Sequence, residues 1–248
     1  MTTASYYDSQ SGMHVPMHNE AEISVYLEWS VDLNANPSIV FQRLDSIKAS
    51  GFHGVKALPQ NQIGGGKRHL EDMEILERSY PDFEFFVPVS SKNEIASYPQ
   101  TFYPMFDYAD ITTSTSVKAC LSDCVAGGRK SCLWMGDLPS PRDGPIEVAN
   151  GVASVIDATG GCEFVWLGHH ENQTNAAEDT IKLCEELSYL DVSGPTMKSR
   201  LVVDLRHTDA EETAEECLMM GVNKFVIDEA AIQWLRDIVQ ENGKDFRT

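Results

Sequence analysis

Three observations predict an α/β fold for this chain, a single (βα)8 TIM-type barrel that follows a loose N-terminal arm. Strand-like and helix-like periods alternate strictly, which demands a parallel sheet covered by helices. Eight such units, each ending in a helix, fit within 248 residues, the size of one closed barrel. The late strands Leu201-Val202-Val203 and Phe225-Val226-Ile227 are unbroken apolar runs, as expected when both faces of a strand are buried. An open doubly wound sheet is the competing architecture. It uses fewer strands and a glycine-rich first turn, whereas here the first strand runs into Asp32-Leu33-Asn34.

Taken in order, residues 1–21 are polar, are punctuated by Gly12 and Pro16, and show no period. Pro16 between His14 and His18 breaks the helix that a metal-ligating i, i+4 pair would need. The barrel domain is expected over residues 22–248. Residues 23–31 are β-rich, and a helix follows with Asn36 as cap, Pro37 in its first turn and Gly51 as its stop. Residues 52–59 form the second strand and 68–80 the second helix, with Leu70, Met73, Ile75 and Leu76 on its apolar face. A third strand at 83–89 precedes a proline-broken helical stretch at 93–108. The fourth strand is read at 110–115 and is weakly hydrophobic; its helix spans 117–125, ended by Gly127-Gly128. Strands at 131–135, 162–168, 200–205 and 223–227 then alternate with helices at 146–158, 176–189, 210–220 and 230–240.

Composition excludes several classes of function. With 42% hydrophobic residues the chain can build a full core. Its net charge of −19, from 38 acidic and 19 basic residues, argues against nucleic acid and against an anionic membrane as partners. A solvated acidic exterior accounts for the charge, as would a high-salt habitat. No apolar run approaches the length of a membrane helix, and residues 1–17 lack the pattern of a secretory signal. A cytoplasmic, reducing compartment is therefore expected, with the six cysteines as free thiols. Homo-oligomerisation stays open.

A barrel places its active site at the carboxyl ends of the strands, so the strand ends supply the candidates. They read Glu28, Ser30 and Asp32; Lys56; residues 112–115, including Thr113; Asp137; His169, His170 and Glu171; Asp204, Arg206 and His207; and Asp228 and Glu229. The amino ends hold Cys162, Arg200 and Asn223, with little that reads as organised. Alternation along strands sets Glu28 and Ser30 on the side of Tyr26, pairs Asp204 with Arg206 in parity, and sets Asp228 with Val226.

Two chemistries fit. In the metal-free one, Lys56 in its apolar strand is a base or Schiff-base amine. Glu28, Asp204, Asp228 and His169 then supply acid and base groups, and Arg206, Ser30 and Thr113 contact a small polar or anionic substrate. In the metal-dependent one, His170, Glu171, Asp137, His207 and Glu229 form a nitrogen–oxygen ligand set suited to one divalent Zn, Mn, Fe or Co ion. The loop Gly64-Gly65-Gly66-Lys67-Arg68-His69 is basic and opens a helix, which suits a mobile lid or an anion clamp made by Lys67 and Arg68. Cys120 and Cys124 lack the third cysteine of an iron–sulfur spacing, so they read as helix-packed thiols. No nucleotide or redox-cofactor motif is present. An acid- and base-rich mouth without those signatures points to a lyase or isomerase; the contrary reading is a non-catalytic barrel serving as a binding or regulatory subunit.

Overall fold

The computed structural model describes residues 5–7, 14–16, 22–28, 36–57, 67–136, 144–168, 176–192, 195–207 and 209–247, with backbone alone for 5–7, 14–16, 67–70 and 176. In the arm, β1 (Ser5–Tyr7) and β2 (His14–Pro16) pair antiparallel, so part of a stretch without sequence period is a short ribbon.

The barrel proper is β3 (Ser24–Glu28), α1 (Pro37–Ala49), β4 (Gly54–Lys56), α2 (Lys67–Ser79), β5 (Glu84–Pro88), α3 (Lys92–Ala96), β6 (Tyr103–Asp107), α4 (Tyr108–Thr113) and α5 (Thr115–Ala126). It continues through β7 (Cys132–Met135), α6 (Pro145–Thr159), β8 (Phe164–Leu167), α7 (Ala176–Ser188), α8 (Met197–Arg200), β9 (Leu201–Asp204), α9 (Ala210–Met220), β10 (Lys224–Val226), a 3-10 turn (Glu229–Ala231) and α10 (Ile232–Glu241). The eight strands close in the order β10-β3-β4-β5-β6-β7-β8-β9, every pairing parallel. The expected (βα)8 barrel is therefore the fold. No helix among the described residues is long and apolar enough to cross a membrane.

One expectation is corrected. The fourth strand is Tyr103–Asp107, and residues 108–113 are helical. Pro104 disguises the strand, because proline breaks the pattern expected of a sheet interior. It is nevertheless buried on the side of Phe106, while Tyr103, Met105 and Asp107 alternate with them. The helix begins where it does because the Asp107 side chain accepts the Ala109 N–H at 2.8 Å.

Alternation divides the core in two. Tyr26, Phe86, Met105, Cys132, Phe164, Trp166, Val202 and Val226 fill the barrel interior, and the remaining buried apolar residues lie between strands and helices. The interior is tied together by edge-on ring contacts, with Phe86 centred 5.1 Å from Phe164 and 5.2 Å from both Tyr26 and Trp166. Gly54 is required among these rings, since a Cβ there would lie 2.4 Å from the Glu84 carbonyl oxygen and 3.0 Å from the Tyr26 ring.

At the amino end the C-terminal segment closes the barrel. Ile23 bridges Phe246, the Ile23 N–H donates to Asp245 O and the Arg247 N–H to Ile23 O, both at 2.9 Å. His53 joins the two layers: its Nδ1 accepts the Val25 N–H at 2.9 Å and its Nε2–H donates to Arg247 O at 2.8 Å. Glu84 accepts the Tyr26 hydroxyl at 2.6 Å and meets Arg247 at 3.5 Å, and Lys130 meets Glu163 at 3.5 Å. This end is thus more ordered than the sequence suggests, because Glu84 has interior parity at the very start of its strand.

Candidate functional site at the carboxyl end

The carboxyl end gathers four charged side chains in one chain of contacts. The register Glu28↔Lys56 sets these two residues side by side at the ends of β3 and β4, and Lys56 Nζ pairs with Glu28 Oε1. The other carboxylate oxygen of Glu28 meets the Arg206 guanidinium at 2.5 Å. Arg206 also holds Asp204: its Nε–H donates to Oδ1 at 2.9 Å, its backbone N–H to Oδ1 at 3.0 Å, and its terminal nitrogen meets Oδ2 at 2.5 Å. Asp204 is 2% exposed and Lys56 7%. The Glu28 side chain is a third exposed and that of Arg206 a fifth, so the outer edge of the chain is wet.

Trp134 completes the arrangement. Its interior parity on β7 brings the indole under Lys56, whose Nζ lies 3.7 Å from the ring centroid. Lys56 therefore reaches from β4 across the mouth. Gly136 makes room for the ring, since a Cβ there would come within 2.7 Å of it. A tryptophan in an apolar strand reads as core; only its parity with Cys132, one step from the strand end, could have marked it.

Electrostatics follow from these contacts. Burial by itself raises the Glu28 carboxyl, but Lys56 and then Arg206 outweigh it and hold the group below its ordinary value. Burial by itself lowers Arg206, and the hydrogen bond and charge of Asp204, with Glu28, reverse the sign and raise it. Glu28 and Asp204 are thus committed as counter-ions.

The other candidates are distributed as follows. Asp228 is exposed just beyond β10. Val226 pairs with Tyr26 on one side and Asp204 on the other, so Asp228 follows the strand that lies between those leading to Glu28 and Arg206. Glu229, the first residue of the 3-10 turn, is drawn away to α1 by an ion pair with Arg43. Thr113 lies at the end of α4 rather than at a strand end, exposed, with its hydroxyl donating to Ala109 O at 2.8 Å. His207 is half-buried after β9. Among the described residues no three His, Cys, Asp or Glu side chains form a metal-binding group. Ser30, Asp137, His169, His170 and Glu171 lie outside the described residues, as do the side chains of Lys67 and Arg68, which open α2. The 3-10 turn and α4 both begin at this end, and Asp107 on β6 is used there as a helix cap.

No family model matches the sequence, and no curated protein matches it. Solved structures match its fold. The truncated 3-deoxy-D-arabino-heptulosonate 7-phosphate synthase from Thermotoga maritima aligns with a TM-score of 0.60 at 11% identity, covering 91% of this chain and 90% of that one. A dihydropteroate synthase from Coxiella burnetii, in complex with pteroic acid, aligns with a TM-score of 0.59 at 10% identity, covering 94% and 96%. At such identities the likeness establishes the barrel and nothing about the reaction.

Proposed function

We propose that this barrel is an enzyme that binds a small polar or anionic metabolite in the carboxyl-end mouth and acts on it as a lyase or isomerase. The observation that carries the reading is Lys56, a buried lysine at the carboxyl end of β4 held between the Glu28 carboxylate and the Trp134 ring. An ion pair between neighbouring strands accounts for Glu28 but not for the contact of Lys56 with Trp134, which spans from β4 to β7.

The contacts divide the labour. Arg206, anchored by Asp204, orients an anionic group of the substrate from its wet edge. Asp228, the exposed carboxylate that follows β10, is the base and removes a proton from the carbon next to a carbonyl. The electron pair moves into that carbonyl, and its oxygen, now negative, is stabilised by the Lys56 ammonium. Reprotonation at the former carbonyl carbon, while the hydroxyl on the deprotonated carbon gives up its proton to become the new carbonyl and the old carbonyl oxygen takes one up, completes an isomerisation. Expulsion of a leaving group from the carbon on the other side of the deprotonated one, as the electron pair returns from the oxygen, completes a lyase reaction. Glu28 balances both cations and holds them in place.

The test uses the full chain with a panel of 2-oxo acids and sugar phosphates, read by thermal shift and by exchange of the substrate C–H in deuterated water. At least one compound is expected to raise the melting temperature and exchange its proton. Lys56→Met and Arg206→Met are expected to lose the thermal shift. Asp228→Asn is expected to keep it while exchange slows by about 10²–10⁴-fold. Undiminished exchange in Asp228→Asn, or a compound covalently trapped on Lys56 by borohydride, overturns this assignment, the latter in favour of a Schiff-base enzyme.

A further inference from the structure

Two thiols far from the proposed chemistry face each other in the outer layer. Cys184 on α7 and Cys217 on α9 are both fully buried, and Cys217 Sγ donates to Cys184 Sγ across 3.8 Å. The helices that carry them flank β9 in sequence, one before it and one after. The remaining cysteines are arranged differently. Cys120 and Cys124 share one helix, Cys132 lies inside the barrel, and the Cys162 carbonyl accepts from Arg200 at 2.7 Å.

We propose that Cys184 and Cys217 are a latent disulfide, which hydrogen peroxide closes into a covalent staple between α7 and α9. One sulfur, as its thiolate, attacks a peroxide oxygen. The O–O bond breaks, a sulfenic acid forms, and the departing hydroxide takes up the thiol proton as water. The second sulfur then attacks the first, the S–O bond breaks, and hydroxide leaves with the second thiol proton as another water. The two thiols lose two electrons in total, and one peroxide becomes two waters.

The geometry is close to what the bond needs. A disulfide has a sulfur separation of about 2.04 Å, so the two atoms, now 3.8 Å apart, must approach by about 1.8 Å. Burial governs the rate. Contact with the Cys217 thiol and burial push the Cys184 thiol well above its ordinary value, so thiolate is scarce and oxidation is slow at neutral pH and faster as pH rises. The bond would close a loop between residues 33 apart, a loop that includes β9 and so the anchor of Arg206 in the mouth. Constraining the unfolded chain in this way stabilises the folded one.

The test incubates the reduced, folded full-length chain with peroxide and follows intact mass, non-reducing peptide maps and melting temperature. The expected product is lighter by two hydrogens, yields one cross-linked peptide containing Cys184 and Cys217, and melts higher by on the order of 5 °C or more. A thiol reductant reverses both changes, and Cys184→Ala and Cys217→Ala each abolish them. Thiols that stay reduced, that pair otherwise, or that advance to sulfinic acid overturn the proposal, as does a staple that lowers the melting temperature. Should either variant fail to fold, the wild-type peptide map decides alone.

Discussion

Replacing His53 by alanine removes the imidazole that ties the first barrel strand to the C-terminal segment, and the structure fixes both the size and the pH dependence of the effect. Nδ1 accepts the N–H of Val25, and Nε2–H donates to Arg247 O. The neutral ring, protonated at Nε2, is therefore the form that satisfies both partners. Val25 is 0% exposed, so its N–H, once orphaned, costs about 1–3 kcal/mol, and loss of the second bond adds about 1 kcal/mol. The total of about 2–4 kcal/mol corresponds to a drop in melting temperature of roughly 4–16 °C for a domain of this size.

The pH dependence follows from the depressed pKa of His53. Burial lowers it most, and the hydrogen bond to Arg247 O only partly opposes that. In the unfolded chain the ring takes up a proton near pH 6.5, while the folded ring stays neutral to lower pH. The unfolded state then binds more protons, so this contribution is fully present above that value. It is lost as pH falls toward the folded value, at up to about 1.4 kcal/mol per pH unit. Urea denaturation of wild type and His53→Ala at about pH 8 and about pH 5.5 should show a penalty that shrinks in acid. A penalty that is equal at both pH values would refute the assignment of the neutral tautomer and of the latch itself.

Three further outcomes follow from the contacts described. Arg206→Met should destabilise by about 3 kcal/mol, since it takes the guanidinium from a buried Asp204, and Asp204→Asn added to it should recover part of the loss in a double-mutant cycle. Glu28 has a depressed pKa, so its contribution is present above the unfolded value of 4.5 and is lost as pH falls through the lower folded value. Glu28→Gln should therefore flatten the acid limb of the stability curve measured by circular dichroism. Gly54→Ala should destabilise by about 1–3 kcal/mol in the same assay, because the added Cβ meets the backbone oxygen of Glu84, which has no freedom to turn aside.

Much of the barrel is legible in sequence because a parallel barrel leaves regular traces: apolar runs where strands are buried on both faces, and glycine where helices stop, as at Gly160 and Gly221. The parity of Tyr26 sufficed to turn Glu28 into the mouth, and the shared parity of Asp204 and Arg206 sufficed to pair them. The fourth unit was not legible. Tyr-Pro-Met-Phe-Asp looks broken at Pro104, while the threonines of 112–115 imitate a strand that Asp107 in fact caps as a helix. Trp134 escaped for a different reason. Its contact with Lys56 spans the barrel from β7 to β4, and no local pattern encodes which residues meet across an opening. Glu229 illustrates the same limit, since nothing near it in sequence announces Arg43.

The position of the closing seam has a consequence for biogenesis. β10 and β3 join the last strand to the first, and the Glu28–Arg206 contact straddles that seam. As the chain emerges from the ribosome, the first seven strands can assemble only into an open sheet with two bare edges, and the segment from Lys224 onward must arrive before the edges are covered. The mouth is assembled from residues on β3 and β4, made early, and residues at the ends of β9 and β10, made late. Its charged chain is therefore among the last features to come into being, and its appearance reports that the ring has shut.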